Sequence, residues 1–294
     1  MAESTALGRR TLGFWSLLAL GVNGIVGVGI FFAPSEVAAL VPGFAGILVY
    51  AATAACLLPV ALAYASLGSR FAEDGGPYVW ARAAFGPTAG FAVGWVAYVS
   101  ALFSTSAVIA GLSQHAGPLL GFEGVLAQRG FAALTIVGLA ATAASGLSPS
   151  AFVWNTITLL KLLPLLLLGA LFSLGSHSVP IAGPPAGVDF ARAALVVVFA
   201  TQGFEIVPVP AGNARGSHRA VPAATVLSLV FAASLYLVLH AACVAAVPGL
   251  ASSRAPLVAL GVALGGQGVG SLVAVGTNLS ALGIAFGMFA MTPR

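Results

Sequence analysis

Residues Phe14 to about Leu40 form one apolar segment with a fault at its centre. The segment is long enough to cross a bilayer, whose hydrocarbon core takes about 20 helical residues. Yet Gly27 and Gly29 lie in its middle, and Pro34 follows closely. Glycine costs about 1 kcal/mol against alanine inside a helix, and proline removes a backbone donor. In hydrocarbon an unpaired peptide group is costly, so a spanning helix breaks only where protein or a water-lined cavity meets the break. A break at Gly27–Gly29 frees the N–H groups that begin the second half-helix. This is the positive end of its dipole and a ready seat for a carboxylate. The same residues allow a second reading. Gly21, Gly24 and Gly27 recur every three positions and make a small-residue face for close helix packing.

The solvent follows from composition. Only 6% of residues are charged and 60% are hydrophobic, against about a quarter charged in soluble domains. The chain is read as an all-α membrane protein in a lipid bilayer. Its net charge of +4 does not point to nucleic acid. The basic residues stand mostly singly between apolar runs, as orientation signals do. Cys56 and Cys243 each fall inside an apolar run and read as small hydrophobes, so neither a metal site nor a cofactor is expected. The first apolar run is too long for a cleavable leader and is expected to drive insertion itself.

After a polar lead, 1–11, the apolar runs predict about eight spans. They cover about 14–40, 43–67, 87–114, 131–145, 151–174, 190–212, 222–247 and 269–291. Pro59 is expected to kink the second. Gly90 with Gly94, and Gly283 with Gly287, form close-packing pairs. The loop 175–189 divides a first repeat, 12–174, from an incomplete second, 190–294. With the amino terminus inside, Arg9, Arg10, Arg70, Arg82, Arg215, Arg219 and Arg294 fall inside, and Arg129, Arg192 and Arg254 outside. That bias fits a cytoplasmic amino terminus in a plasma (inner) membrane.

The sixth run is also broken, by Gly203, Glu205, Pro208 and Pro210. At 1.5 Å per residue, Gly27, Gly203 and Lys161 all lie roughly 15–20 Å deep, near the midplane. The first and sixth spans are equivalent members of two five-helix halves and enter from opposite faces. Interrupted spans in corresponding positions of an inverted repeat mark the substrate site of a secondary transporter. An acid such as Glu205 inside a span reads either as a selectivity group for a basic side chain or as a hydrogen-bonded structural carboxyl. Lys161 is too deep to snorkel to the surface, and an idle buried ammonium is costly. It is therefore a candidate proton-coupling residue, the alternative being a structural bond to a backbone carbonyl. Glu36 reads as solvated, and His240 as a packing group. Asn278 and Ser280 read as interhelical hydrogen-bonders.

Several stretches together resemble the amino acid–polyamine–organocation (APC) permeases. They are Gly27-Val28-Gly29-Ile30-Phe31, Gly75-Gly76-Pro77-Tyr78-Val79 with Ala84-Phe85-Gly86-Pro87, Leu160-Lys161-Leu162-Leu163, and Phe199-Ala200-Thr201-Gln202-Gly203-Phe204-Glu205. The connection from Asn213 to Pro222 is similar to that family's basic, proline-ended loop. The resemblance covers essentially the whole chain, in order. It implies a leucine-transporter-type five-plus-five inverted repeat with discontinuous first and sixth spans. It implies an amino acid permease working by alternating access, with a proton as coupling ion. An exchanger or a polyamine or organocation carrier of the same fold is the alternative. By this resemblance the amides around Gly27, Val28 and Gly29 hold the substrate carboxylate. The carbonyls of Ile25, Phe199, Ala200 and Gln202, beside Gly203, receive its ammonium group. Phe204 is implied as an aromatic gate, with ordinary packing as its alternative. Lys161 is implied to reach the broken first span. Val28 departs from the small or hydroxylated residue the family often has there, leaving the carboxylate to the backbone.

The resemblance also implies a ninth and a tenth span, which this sequence lacks, so the chain reads as truncated at its carboxyl end. An intramembrane enzyme would need a nucleophile–base pair or a His/Asp/Glu cluster, and a channel a continuous polar path. The spans supply neither pattern, so no enzymatic activity is expected.

Overall fold

The computed structural model describes residues 11–175 and 187–292. Arg9, Arg10 and Arg294, which enter the orientation argument, lie outside the described residues, as does most of the loop 175–189. The chain folds as α1 (Phe14–Ile25), α2 (Gly29–Leu40), α3 (Phe44–Arg70), α4 (Pro77–Phe85) and α5 (Pro87–Leu119), then α6 (Val125–Ala144), α7 (Leu147–Leu174), α8 (Phe190–Thr201), α9 (Ser217–Ala246) and α10 (Pro256–Met291). Short 3₁₀ turns cover Phe204–Ile206, Ala211–Asn213 and Leu250–Ser252. Among the described residues six helices are long and apolar enough to cross a membrane, and α1 with α2, bent by 43°, makes a seventh. The protein is a multi-pass, all-α membrane protein.

The first span breaks where its glycines predict. α1 ends at Ile25 and α2 begins at Gly29. The second span runs unbroken through Pro59 as one helix of 27 residues. The fourth and seventh start earlier than their apolar runs, at Val125 and Ser217. In the second case His218 and Arg219 occupy the first helical turn. α10 contains the predicted eighth span, but it bends at Gly266 (φ 75°, ψ −173°) and continues back as a short helix to Pro256.

The sixth run departs most from expectation. Only 12 residues, Phe190–Thr201, are helical, and the remainder winds through 3₁₀ turns. Pro208 and Pro210 remove backbone donors there, and a neighbouring loop supplies the bonds a helix would have made. Gly75 N–H donates to Val209 O (2.9 Å), and Asp74 accepts from Gly212 N–H (2.9 Å) and Asn213 Nδ2 (2.7 Å). Leu12 and Ala214 form a parallel bridge, with Arg215 N–H bonded to Leu12 O at 2.8 Å. Irregular backbone is tolerated at membrane depth when protein satisfies it in this way.

Two apolar cores flank the breaks. One joins α2, α3, α8 and α9 through Val37, Tyr50, Val197 and Tyr236. The other joins α1, α7 and α10 through Leu17, Leu20, Trp154 and Phe286. The glycine pairs act as close contacts: Gly90 and Gly94 bring α5 onto Arg82 and Tyr78 of α4, and Gly283 and Gly287 bring α10 onto Asn23 of α1.

Candidate functional site

The two breaks meet backbone to backbone. A methyl group on Gly24 would lie 2.8 Å from the Gly203 carbonyl oxygen, and one on Gly29 would lie 2.9 Å from Ala200 Cα. Residue numbers rise on one strand of this contact and fall on the other, so the broken spans cross antiparallel. The glycine stretch is therefore both a break and a packing face. Gly21 packs on Ser228 and Gly24 on Gly203, while residues 26–28 form the break.

An α-helix leaves its last carbonyls without intrahelical partners, and three other helices supply donors to those of α1. Lys161 of α7, fully buried, donates from Nζ to Asn23 O at 2.9 Å and to Val26 O. Ser280 of α10 donates to the same Val26 oxygen at 3.0 Å. The hydroxyl of Tyr236 on α9 donates to Ile25 O at 2.8 Å, and the Gly27 N–H reaches that oxygen at 2.8 Å too. These open carbonyls need donors, and the Lys161 amine supplies donors to two of them. The Ile25 carbonyl, assigned by resemblance to the substrate ammonium, thus has both lone pairs engaged in this conformation.

The opposite pole is the start of α2. No side chain caps it, so its first N–H groups, around Val28 and Gly29, point out of the helix unpartnered by any cap. Beside them, Ile284 of α10 fills the notch left by the missing side chain of Gly27. A methyl there would fall 1.8 Å from Ile284 Cδ1.

A cavity of about 480 Å³ opens next to this junction. Asn23, Gly24, Gln202, Gly203, Glu205 and Ile284 line it, together with Ser100 and Ser104 of α5. Of the residues assigned to substrate binding, selectivity or proton coupling, Gln202, Gly203 and Glu205 reach this space, and Lys161 does not. Ile25, Gly27, Val28, Gly29, Phe199, Ala200 and Phe204 do not line it. Phe199 is 58% exposed and meets Phe32, with ring centroids 6.4 Å apart. Phe204 is buried edge-on against Tyr64 at 5.8 Å. Glu205 Oε2 accepts from Gly203 N–H at 2.8 Å, so its carboxylate holds the turn that follows α8.

Other polar residues sort as expected, with one exception. Glu36 is exposed, and His240 packs against the Tyr50 ring at 4.6 Å. Ser280 bonds between helices, whereas Asn278 bonds Ala274 O of its own helix at 3.2 Å. Sequence reasoning did not single out Tyr236, Asn23 or Ile284. The first two are polar residues inside apolar runs, which was the available signal. Ile284 carries none, because an isoleucine in a span looks like lipid-facing bulk.

Two interrupted apolar segments thus cross beside a buried lysine and a cavity inside a multi-pass bundle of helices. Residues 12–294 match the amino acid permease family, and the chain belongs to it. It is 29% identical over 262 residues to the glutamate/serine transporter AimA of Bacillus subtilis, covering 81% of this chain and 48% of that protein. It is 27% identical over 265 residues to human cationic amino acid transporter 4, covering 82% and 41%. It is 30% identical over 263 residues to a putative arginine/ornithine antiporter of B. subtilis, covering 77% and 55%. The chain spans about half the length of these curated relatives.

Proposed function

We propose that the chain forms the substrate- and proton-handling part of an amino acid carrier that works by alternating access. The observation that carries this reading is the fully buried Lys161 ammonium, bonded to Asn23 O and Val26 O at the broken turn. While protonated it braces the break. On deprotonation those bonds lose the charge that strengthens them, and the balance between outward and inward states shifts. The substrate is a zwitterion entering through the cavity, its carboxylate directed to the uncapped start of α2 and its ammonium to the open carbonyls at the end of α8. The positive-residue bias supports a cytoplasmic amino terminus in a plasma membrane, with the cavity then opening inward.

The test begins with a thermal-shift screen of the purified protein against the common L-amino acids. Binding of the best ligand, and its uptake by proteoliposomes, are then followed against pH for the native protein and for Lys161→Ala. A pH dependence present in the native protein and absent in the variant is the expected result. The same pH profile and accumulation ratio in both would reduce Lys161 to a structural role. A second reading, obligatory exchange, is favoured by the relative named an antiporter. It predicts uptake only into vesicles preloaded with amino acid.

A further inference from the structure

One face of α7 presents a row of side-chain donors to the first span. Trp154 Nε1 donates to Ser16 O at 3.1 Å, and Asn155 Nδ2 to Ser16 Oγ at 3.1 Å. Thr158 Oγ1 lies 3.3 Å from Ala19 O, although its nearer acceptor is Trp154 O of its own helix at 2.6 Å. Lys161 follows, on Asn23 O and Val26 O. Donor positions 154, 158 and 161 share one face of α7, and acceptor positions 16, 19, 23 and 26 share one face of α1. The two sets ascend together, so the helices run parallel with matched spacing. Trp154 is as fully buried as Lys161.

We propose that Trp154 and Asn155 are positioning residues that fix the register of α1 against α7, so that Lys161 meets the broken turn. Apolar contact specifies register weakly in a bilayer, since lipid tails are as apolar as leucine. Two directional N–H bonds at one residue, Ser16, specify it well. A slip of α1 by one turn, about 5.4 Å, would bring Lys161 to the carbonyls of Ala19 and Val22. Those belong to the intact helix, and Val22 O already accepts from Val26 N–H at 2.8 Å. The ammonium group would lose the open acceptors that only the break provides. Trp154 and Asn155 meet α1 at Ser16, about three turns before the break at Val26, so they hold this register without touching substrate.

The proposal rests on the role given to Lys161, but its test does not use transport. Lys161 is the only lysine in the sequence, so lysine labelled with ¹⁵N at Nζ gives one side-chain resonance in the full chain. Acylation at Lys161 by a small amine reagent can be followed by peptide mass spectrometry. With Trp154→Phe and Asn155→Ala combined, the resonance shifts and acylation accelerates at least about tenfold, since two net hydrogen bonds are lost from the closed register. Asn155→Ala alone gives a smaller rise. Ser16→Ala equals it and adds nothing on top of it, because both remove the same bond. Leu168→Ala, equally buried in α7 but without a donor, lowers the thermal midpoint and leaves Lys161 as unreactive as before. Unchanged reactivity in the combined variant would overturn the proposal, and so would an equal rise with Leu168→Ala. Were Lys161 not the coupling residue, the pH profile of Lys161→Ala would show it while this result stood.

Discussion

Gly203 has a φ of 129°, and a methyl group on it would fall 2.2 Å from the Gly24 carbonyl carbon. Backbone strain and overpacking therefore add at one atom, each costing about 1–3 kcal/mol. Gly203→Ala is expected to lower the detergent thermal midpoint by several degrees or to prevent folding. Gly138→Ala in α6, where nothing lies within 4 Å, is expected to leave that midpoint level or to raise it slightly. Equal effects at the two positions would show that the crossing of the breaks is not the tight contact described. Gly29 needs the same care. A side chain there meets Ala200 before it meets any ligand, so Gly29→Val would test packing and anion binding together. Tyr236→Phe is cleaner, because it removes one donor from Ile25 O and little volume. A loss of about 1–2 kcal/mol in stability is expected, read by thermal unfolding against Tyr98→Phe at the cavity wall.

At the level of elements, the breaks were legible because glycine and proline inside apolar runs have few other uses. Lys161 stood out as a lone lysine in the middle of an apolar run, and the structure buries it fully. The second half of the sixth span was not, because its conformation depends on a loop more than 130 positions away. Asp74 holds Gly212 N–H and Asn213 Nδ2, and the Gly75 N–H holds Val209 O. No pattern local to 203–214 encodes those partners. The lining of the cavity was hidden for a related reason, since Ile284 and Asn23 become site residues only once α10 packs on α1. Asp74→Ala should therefore loosen a segment of another part of the chain. Amide exchange at Gly212, read by mass spectrometry, is expected to rise at least about tenfold, as one charge-assisted bond is lost. Exchange in the middle of α9 should not change. Protection at Gly212 that survived the substitution would mean that the 3₁₀ turns are held by their own sequence.

Taken whole, the molecule is open on one side of the breaks and sealed on the other. On the open side the cavity reaches Asn23, Gly203 and Glu205 between α1, α5 and α10. On the sealed side Ile30, Val37 and Val197 are buried in the core shared by α2, α3, α8 and α9. A channel would need a continuous path through that core, whereas a carrier needs only that the two sides exchange accessibility. Cysteine labelling separates the two. In a background of Cys56→Ser and Cys243→Ala, Ser104→Cys is placed in the cavity and Val37→Cys in the sealed core. A membrane-impermeant thiol reagent is expected to modify Ser104→Cys from one face of oriented vesicles only. Val37→Cys should resist it from both faces while the present conformation is held. If the chain visits the opposite state, Val37→Cys becomes reactive from the other face, and saturating amino acid shifts the two labelling rates in opposite directions. Simultaneous reactivity of Val37→Cys and Ser104→Cys from a single face would mean a continuous pore, and the carrier reading would fail with it.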